Sequence, residues 1–519
     1  MNIYHGDIIS CDDKNSQYQY LAEDKGRIVF LGGRLPDEYS SLPVFEIGEG
    51  ALLPAFADTH VHLASYAIFS ATTDIKDAAS HEELITALKE YDTRDKPPFI
   101  LSFGASAHSV KEKRLPVRAE LDAAFPGKPV FIVCYDGHSC VINSKMRDMM
   151  PKKIYNMRGF DAESGIITRD AFYSSVDFIT GKVPITALVD NIARAYDRMA
   201  ANGVGTVHAS EGVGFALDLD VTISSRIARG QKSGFQTRLF FQTRDLAKIK
   251  KLGLPRAGGC FDAAIDGCFG CCDAALLSPY EGTDNTGILY RSEEEVRKFV
   301  LDAHREGLQA VIHCIGDKSS EIFISAVENA QKLFPRDDAR HGMIHADLLD
   351  DEKRRRIVNA GIHISRQPYM VNWNLEPEEY YQSILGKRSK ELSQYKKELA
   401  MGMRIAAGSD APVTNPHPMN AIHKLLNHKN PDDDITIEQA LRMHTYEGAA
   451  LAFDEKDRGS LEIGKIADFV ILDKNPMKIK SDGLKNIKCA KLFLSGKLYK
   501  NGQSGFGALL KSFAGGGKI

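Results

Sequence analysis

Over 519 residues the chain has only nine cysteines, one tryptophan and a formal net charge of -3. Nine thiols are too few to staple so long a chain, and an odd number leaves at least one unpaired, which argues against a disulfide-built fold. A reducing, cytoplasmic setting is therefore expected. The near balance of 66 basic and 69 acidic residues shows no basic patch of the kind that binds nucleic acid. No apolar run approaches the roughly 18 residues that a membrane span needs. The opening Met1-Asn2-Ile3-Tyr4-His5-Gly6-Asp7 lacks the charged-then-apolar layout of a signal peptide. No internal repeat is visible. What is present is 43% hydrophobic residues, enough for a buried core, in a chain longer than one compact core holds. The expected partner is a small-molecule substrate, with neither nucleic acid nor membrane. A homodimer is expected only because symmetric oligomers are common among soluble enzymes.

The most informative stretch is Leu53-Pro54-Ala55-Phe56-Ala57-Asp58-Thr59-His60-Val61-His62, an apolar strand ending in two histidines one residue apart. Residues two apart on a strand share a face, so both imidazoles can reach one point beyond the strand. Neutral imidazole is the commonest side-chain metal ligand. Taken alone, such a pair is more often two packed histidines than a metal site. Four further segments repeat the form, a short apolar strand running into a ligand-type residue: Ala310-Val311-Ile312-His313, Gly342-Met343-Ile344-His345, Ile362 to Gln367, and Ile405 to Asp410. Helix-like stretches precede them, such as Glu294 to Glu306 and Asp350 to Ala360. Alternating helices and buried strands indicate a parallel α/β sheet. Closed into a (β/α)8 TIM-like barrel, that sheet would open every one of these strand ends onto one rim, where such barrels keep their active sites.

These motifs, with Asp136-Gly137-His138-Ser139, Gly408-Ser409-Asp410-Ala411-Pro412 and the closing Gly459 to Asp473, resemble the amidohydrolase superfamily of metal-dependent hydrolases. Within it the chain looks most like the amidohydrolase branch that includes N-substituted formamide deformylase. The resemblance runs from Asp7 to about Tyr499. It implies His60, His62, His313, His345 and Asp410 as metal ligands, with Asp410 also the catalytic acid and base. The cofactor implied is one or two divalent ions, Zn2+ by default. Both β-rich chain ends, 1–51 and 457–500, are expected to form one small β-sandwich beside a barrel spanning 52–456. An inserted α/β subdomain at about 70–181 would roof the site, and the glycine-rich tail 501–519 would be loose.

The resemblance breaks where relatives often carry a carboxylated lysine that bridges two metals, four residues before an Asp-Gly. In Cys260-Phe261-Asp262-Ala263-Ala264-Ile265-Asp266-Gly267 that count lands on Asp262, a possible bridging carboxylate. Cys260, Cys268, Cys271 and Cys272 are also candidates, read sooner as buried lining than as ligands. Ile344 stands where relatives usually have Glu. His138, Gln367 and His208 are candidate substrate-binding residues, His138 from the roof and Gln367 as a donor to the substrate carbonyl.

A divalent ion lowers the pKa of its bound water from about 15.7 to near 7 and polarises a carbonyl, which suits hydrolysis of a linear, non-peptide carbon–nitrogen amide such as an N-acyl or N-formyl amine. The alternatives are a heterocycle deaminase or cyclic amide hydrolase of the same superfamily. Deaminases usually place Glu three residues after the fifth-strand histidine, where this chain has Gly316. A barrel that has lost catalysis is a third reading, and such relatives lose ligands that this chain keeps.

Overall fold

The computed structural model describes residues 1–231, 233–502, 504–514 and 519. Eight parallel strands form its centre: β1 (Phe56–Val61), β2 (Val204–Glu211), β3 (Gln236–Phe241), β4 (Arg256–Gly259), β5 (Gln309–Cys314), β6 (Gly342–His345), β7 (His363–Arg366) and β8 (Arg404–Ala407). Neighbours in that order are hydrogen-bonded, and a parallel bridge between Val61 and Ala411 closes the sheet into a barrel. The expected α/β barrel is present. Short, buried strands with helices outside them are what a sheet covered on both faces requires.

The helices start where local chemistry says they should. Ahead of β5, Glu293–Arg305 opens on a capping box. Ser292 Oγ accepts from the Glu295 amide, and the Glu295 carboxylate accepts from the Ser292 amide. A cap of this kind is worth about 1 kcal/mol. Val296, Phe299, Val300 and Ala303 form the buried stripe of that helix. Ahead of β7, Asp350 caps Asp351–Asn359 by accepting from the Lys353 amide at 2.8 Å.

The small β domain expected from both chain ends is a single seven-stranded mixed sheet. Phe469–Leu472 pairs antiparallel with Val44–Pro54, which in turn runs parallel to Asn2–Ile9. Tyr4, Phe469 and Phe493 pack within it, with ring centroids 4.8–5.5 Å apart. Between β1 and β2 lies a five-stranded sheet, Thr73–Asp74, Ile100–Ala105, Val130–Cys134, Ser139–Ile142 and Ile166–Thr168. Its own core includes Leu84, Leu88, Ile100, Val130 and Ile132. The next helix, Arg169–Thr180, returns over the barrel mouth and presents Phe172, Tyr173, Val176 and Ile179 to the cavity there.

The tail differs from expectation. Gly505–Lys511 is a helix that packs against the helix Leu219–Gly230. A side chain at Gly230 would sit 1.8 Å from the Ala508 carbonyl oxygen, so glycine on the receiving helix permits the contact. Gln503 and residues 515–518, which include the last run of glycines, lie outside the described residues. Among the described residues no helix is long and apolar enough to cross a membrane.

Candidate metal centre at the barrel rim

The seam of the barrel assembles half of the centre. The Asp410 amide donates to the His60 carbonyl at 2.8 Å, and the His62 amide donates to the Ala411 carbonyl at 3.0 Å. This lacing sets the Asp410 carboxylate between both imidazoles of the His-x-His pair. Gly408 makes the approach possible, because a Cβ there would stand 2.6 Å from the His60 amide nitrogen. Asp410 Oδ1 lies 3.1 Å from His60 Nε2 and 3.3 Å from His62 Nε2.

The other half comes from β5 and β6. The His313 and His345 rings are 4.6 Å apart, and His345 is 5.7 Å from His60, centroid to centroid. Each of these imidazoles is held by one nitrogen. His345 Nδ1 is 2.7 Å from Gln367 Oε1, whose own amide nitrogen donates to the Ser365 carbonyl. His313 Nε2 is 3.2 Å from the Gly267 carbonyl oxygen. Both partners accept only, so His345 is protonated on Nδ1 and His313 on Nε2. The bare lone pairs of His345 Nε2 and His313 Nδ1 then face the same gap. The Ser210 hydroxyl, 3.2 Å from His60 Nδ1, steadies the third ring. Carbonyl or carboxylate partners that fix the tautomer in this way are a regular feature around metal-ligating histidines.

Protonation states agree with that arrangement. The His60 imidazole is pushed down to about 4, by burial first and then by His62 and His345, against the pull of Asp410. Burial, with His345 and His138 nearby, holds His313 well below its ordinary value, and burial also lowers His345. Burial opposes a charge on Asp410, yet His60, His62 and His345 keep its carboxyl well below the usual carboxylate range. At neutral pH the His60, His313 and His345 rings are therefore neutral and the Asp410 carboxylate is charged, which is the form that binds a cation.

Asp410 Oδ1 and His62 Nδ1 are buried without a hydrogen-bond partner. Buried polar atoms are rarely left so, and a shared divalent cation is what a carboxylate oxygen ringed by imidazole lone pairs fits. The donors fall into three sets whose ligand atoms lie within 4.8 Å of one another: His60, His62 and Cys260; Cys260, His313 and His345; His60, His345 and Asp410.

Three of the expected roles are corrected. Asp262 does not reach the centre. It is turned outward, where its carboxylate accepts from the Arg244 amide at 3.0 Å and from the Arg291 guanidinium at 2.9 Å. The cause is local: β4 ends at Gly259, Phe261 is left-handed with φ 50°, and Phe261–Ala263 coils as a 3-10 turn. Cys260, and not Asp262, faces the imidazoles. Gln367 is not among the residues that line the cavity, and its side-chain oxygen is turned to His345 Nδ1 instead. His208 points inward on β2 one layer below Ser210, stacked on Phe240 at 5.6 Å and beside Arg238 and Arg256, outside the cavity.

His138 does face the cavity, 5.6 Å from His313 by centroid and 3.4 Å from the Tyr173 hydroxyl. Cys271 and Cys268 donate toward the Asp136 carboxylate at 3.2 and 3.7 Å, while Cys272 is 3.6 Å from the Tyr380 hydroxyl. Ser210, two residues beyond His208 on the same strand face, was not among the residues expected at the site. The cavity above the centre takes in about 880 Å³, counting the open solvent at its mouth. Ile68, Phe69, Leu101, Phe103, Val176 and Ile179 make its walls apolar, and among the described residues no lysine or arginine lines it.

Residues 47–499 match the amidohydrolase family over most of the chain. The chain belongs to that family. The family resemblance read from its motifs therefore holds, and the protein is an amidohydrolase-superfamily, metal-dependent hydrolase. Among its relatives is "Putative amidohydrolase YtcJ" of Bacillus subtilis (strain 168), 25% identical over 96% of this chain and 98% of that one. N-substituted formamide deformylase of Arthrobacter pascens is 22% identical over 96% of this amidohydrolase and 97% of its own length. The crystal structure of an uncharacterised metal-dependent hydrolase from Pyrococcus horikoshii OT3 shares the fold, with a TM-score of 0.72 at 24% identity. It covers 92% of this chain and 99% of that one.

Proposed function

We propose that this amidohydrolase cleaves a linear, uncharged carboxamide, an N-acyl or N-formyl amine with an apolar substituent. The observation that carries the reading is the convergence of imidazole lone pairs and one orphaned carboxylate oxygen on a single gap at the floor of an apolar cavity. His60, His62, His313, His345 and Asp410 would hold the metal, zinc being the default for histidine and carboxylate donors. Such an ion supplies hydroxide at neutral pH and polarises the amide carbonyl.

The remaining work falls to the chain itself. Asp410, ionised and within reach of the gap, accepts the proton of the attacking water and returns it to the departing nitrogen. His138 stands across the cavity, where its ring can donate to the carbonyl oxygen of a bound amide. The apolar walls exclude water and bury the substituent. With no lysine or arginine lining them among the described residues, a carboxylate on the substituent, remote from the metal, would be buried without a counter-charge, at a cost of several kcal/mol. Gly316 offers no side chain to protonate a heterocycle, and the Asp317 carboxylate beside it accepts from the Leu277 amide at 2.9 Å.

The test is turnover by the zinc-loaded protein on three panels: N-aryl and N-alkyl formamides and acetamides, N-acyl amino acids, and aminated heterocycles. The expected products are amine and carboxylate from the first panel. Ammonia released from the third panel alone, or no turnover of any panel by metal-loaded protein, would overturn the proposal.

A further inference from the structure

Cys260 sits in the middle of the centre and has no part in the reading above. Its sulfur is 3.6 Å from His60 Nε2 and 3.5 Å from His313 Nδ1. It is buried, and its backbone is held by the Gln242 side chain, which accepts from the Cys260 amide at 2.9 Å. As a small apolar side chain it packs with Phe240, Val311 and Ile344, and a free thiol often does no more than that. Packing does not account for the polar neighbours, however. Two ring nitrogens from opposite sides of the barrel converge on one sulfur, and one of them, His313 Nδ1, is a bare lone pair. A thiol has a single proton to offer.

The donor count points further. Four imidazoles, a carboxylate and a thiol exceed what one zinc ion takes, since such sites are almost always four-coordinate. The donors divide around the sulfur, with His60 and His62 on one side and His313 and His345 on the other, and Cys260 belongs to both sets. Asp410 lies nearest to His60 and His62. Shared through sulfur, the donors give each of two ions three or four protein ligands and leave a position for water or substrate.

We propose that Cys260 is a thiolate ligand that bridges two divalent ions, taking the place of the bridging side chain that the count from Asp-Gly assigns to Asp262. The inference rests on the metal-hydrolase reading of the same site. On binding, the Cys260 S–H proton passes to solvent as two metal–sulfur bonds form. No oxidant or reductant is involved. Burial favours the neutral Cys260 thiol in the metal-free protein, and a coordinated cation reverses that preference.

The experiment uses full-length protein, stripped and reloaded with Co2+ or Zn2+, with metal content measured by mass spectrometry. Sulfur ligation is read from the near-ultraviolet sulfur-to-cobalt charge-transfer band and from X-ray absorption of the zinc form. About two ions per chain are expected, with the charge-transfer band and a zinc–sulfur distance of about 2.3 Å. Cys260→Ser should lose the band and retain about one ion. Cys260→Asp, which offers a carboxylate in the same place, should keep about two ions without the band and so separates sulfur ligation from folding. Two ions bound with neither band nor sulfur scatterer would overturn the bridge and leave the hydrolase standing. So would a Cys260→Ser protein that keeps the wild-type metal content. A wild-type protein that retains no metal and turns over no amide would overturn both.

Discussion

The barrel interior holds two buried polar layers that look alike in composition and differ in outcome. At the rim are His60, the partly exposed His62, His313, His345 and Asp410, and one layer lower are His208, Arg238 and Arg256, with Asp454 reaching Arg238 from the loop after the helix Tyr446–Leu451. Both are shielded from water and both mix imidazoles with charge. In the lower layer Arg238 pairs with Asp454, and the Arg256 guanidinium lies 5.1 Å over the Phe240 ring. At the rim the donors and acceptors aim at a gap that opens into the cavity. Buried polarity alone therefore does not mark a site. Lone pairs directed at a shared, accessible point do.

That contrast predicts separable failures. Asp410→Asn should remove the proton carrier and lower kcat/KM by roughly 10²–10⁴-fold, with an unchanged circular dichroism spectrum and melting temperature. Loss of folding in this variant would merge the two layers into one structural unit. In the lower layer, Asp454→Ala takes the carboxylate from buried Arg238. It should cost about 3–5 kcal/mol of stability, measured by denaturant titration, while activity per folded molecule stays near wild type. Gln367→Leu frees the His345 tautomer and should weaken metal affinity about 10–100-fold in a chelator competition, with little change in melting of the metal-free protein.

The smallest effect is on pH dependence. Burial, then Arg256 and Arg238, pushes His208 down to about 3. The unfolded chain takes up a proton near the ordinary imidazole value of about 6.5, which the folded chain refuses until about 3. Stability is thus unaffected above pH 6.5 and falls as pH drops below it, flattening only near 3. His208→Asn should make the acid limb of the melting-temperature profile of the metal-free protein shallower by one proton. An unchanged slope would mean that His208 titrates in the folded state.

Much of the rim was legible because strand ends in a parallel barrel share one face. His60, His62, His313, His345 and Asp410 each follow a short apolar run, and the parallel topology brings them together. The bridging position was not legible. Counting four residues back from Asp266-Gly267 assumes extended chain, whereas the left-handed Phe261 and the turn after it bring Cys260 inward and send Asp262 to the arginines. His208 was misjudged by one layer, since Ser210, two residues on, is the residue of that face that reaches His60. Gln367 was read as touching substrate because its strand end is at the rim, but its amide is taken up by His345 and the Ser365 carbonyl. The tail helix escaped notice because its glycines suggested looseness, while the glycine that matters is Gly230 on the helix it packs against.

The most direct test is an anomalous-difference map from crystals of the zinc-loaded protein, recorded on both sides of the zinc edge. The account predicts strong density in the gap between His60 Nε2, His313 Nδ1, His345 Nε2 and Asp410 Oδ1. Zinc density confined to other parts of the molecule, with that gap empty, would contradict it.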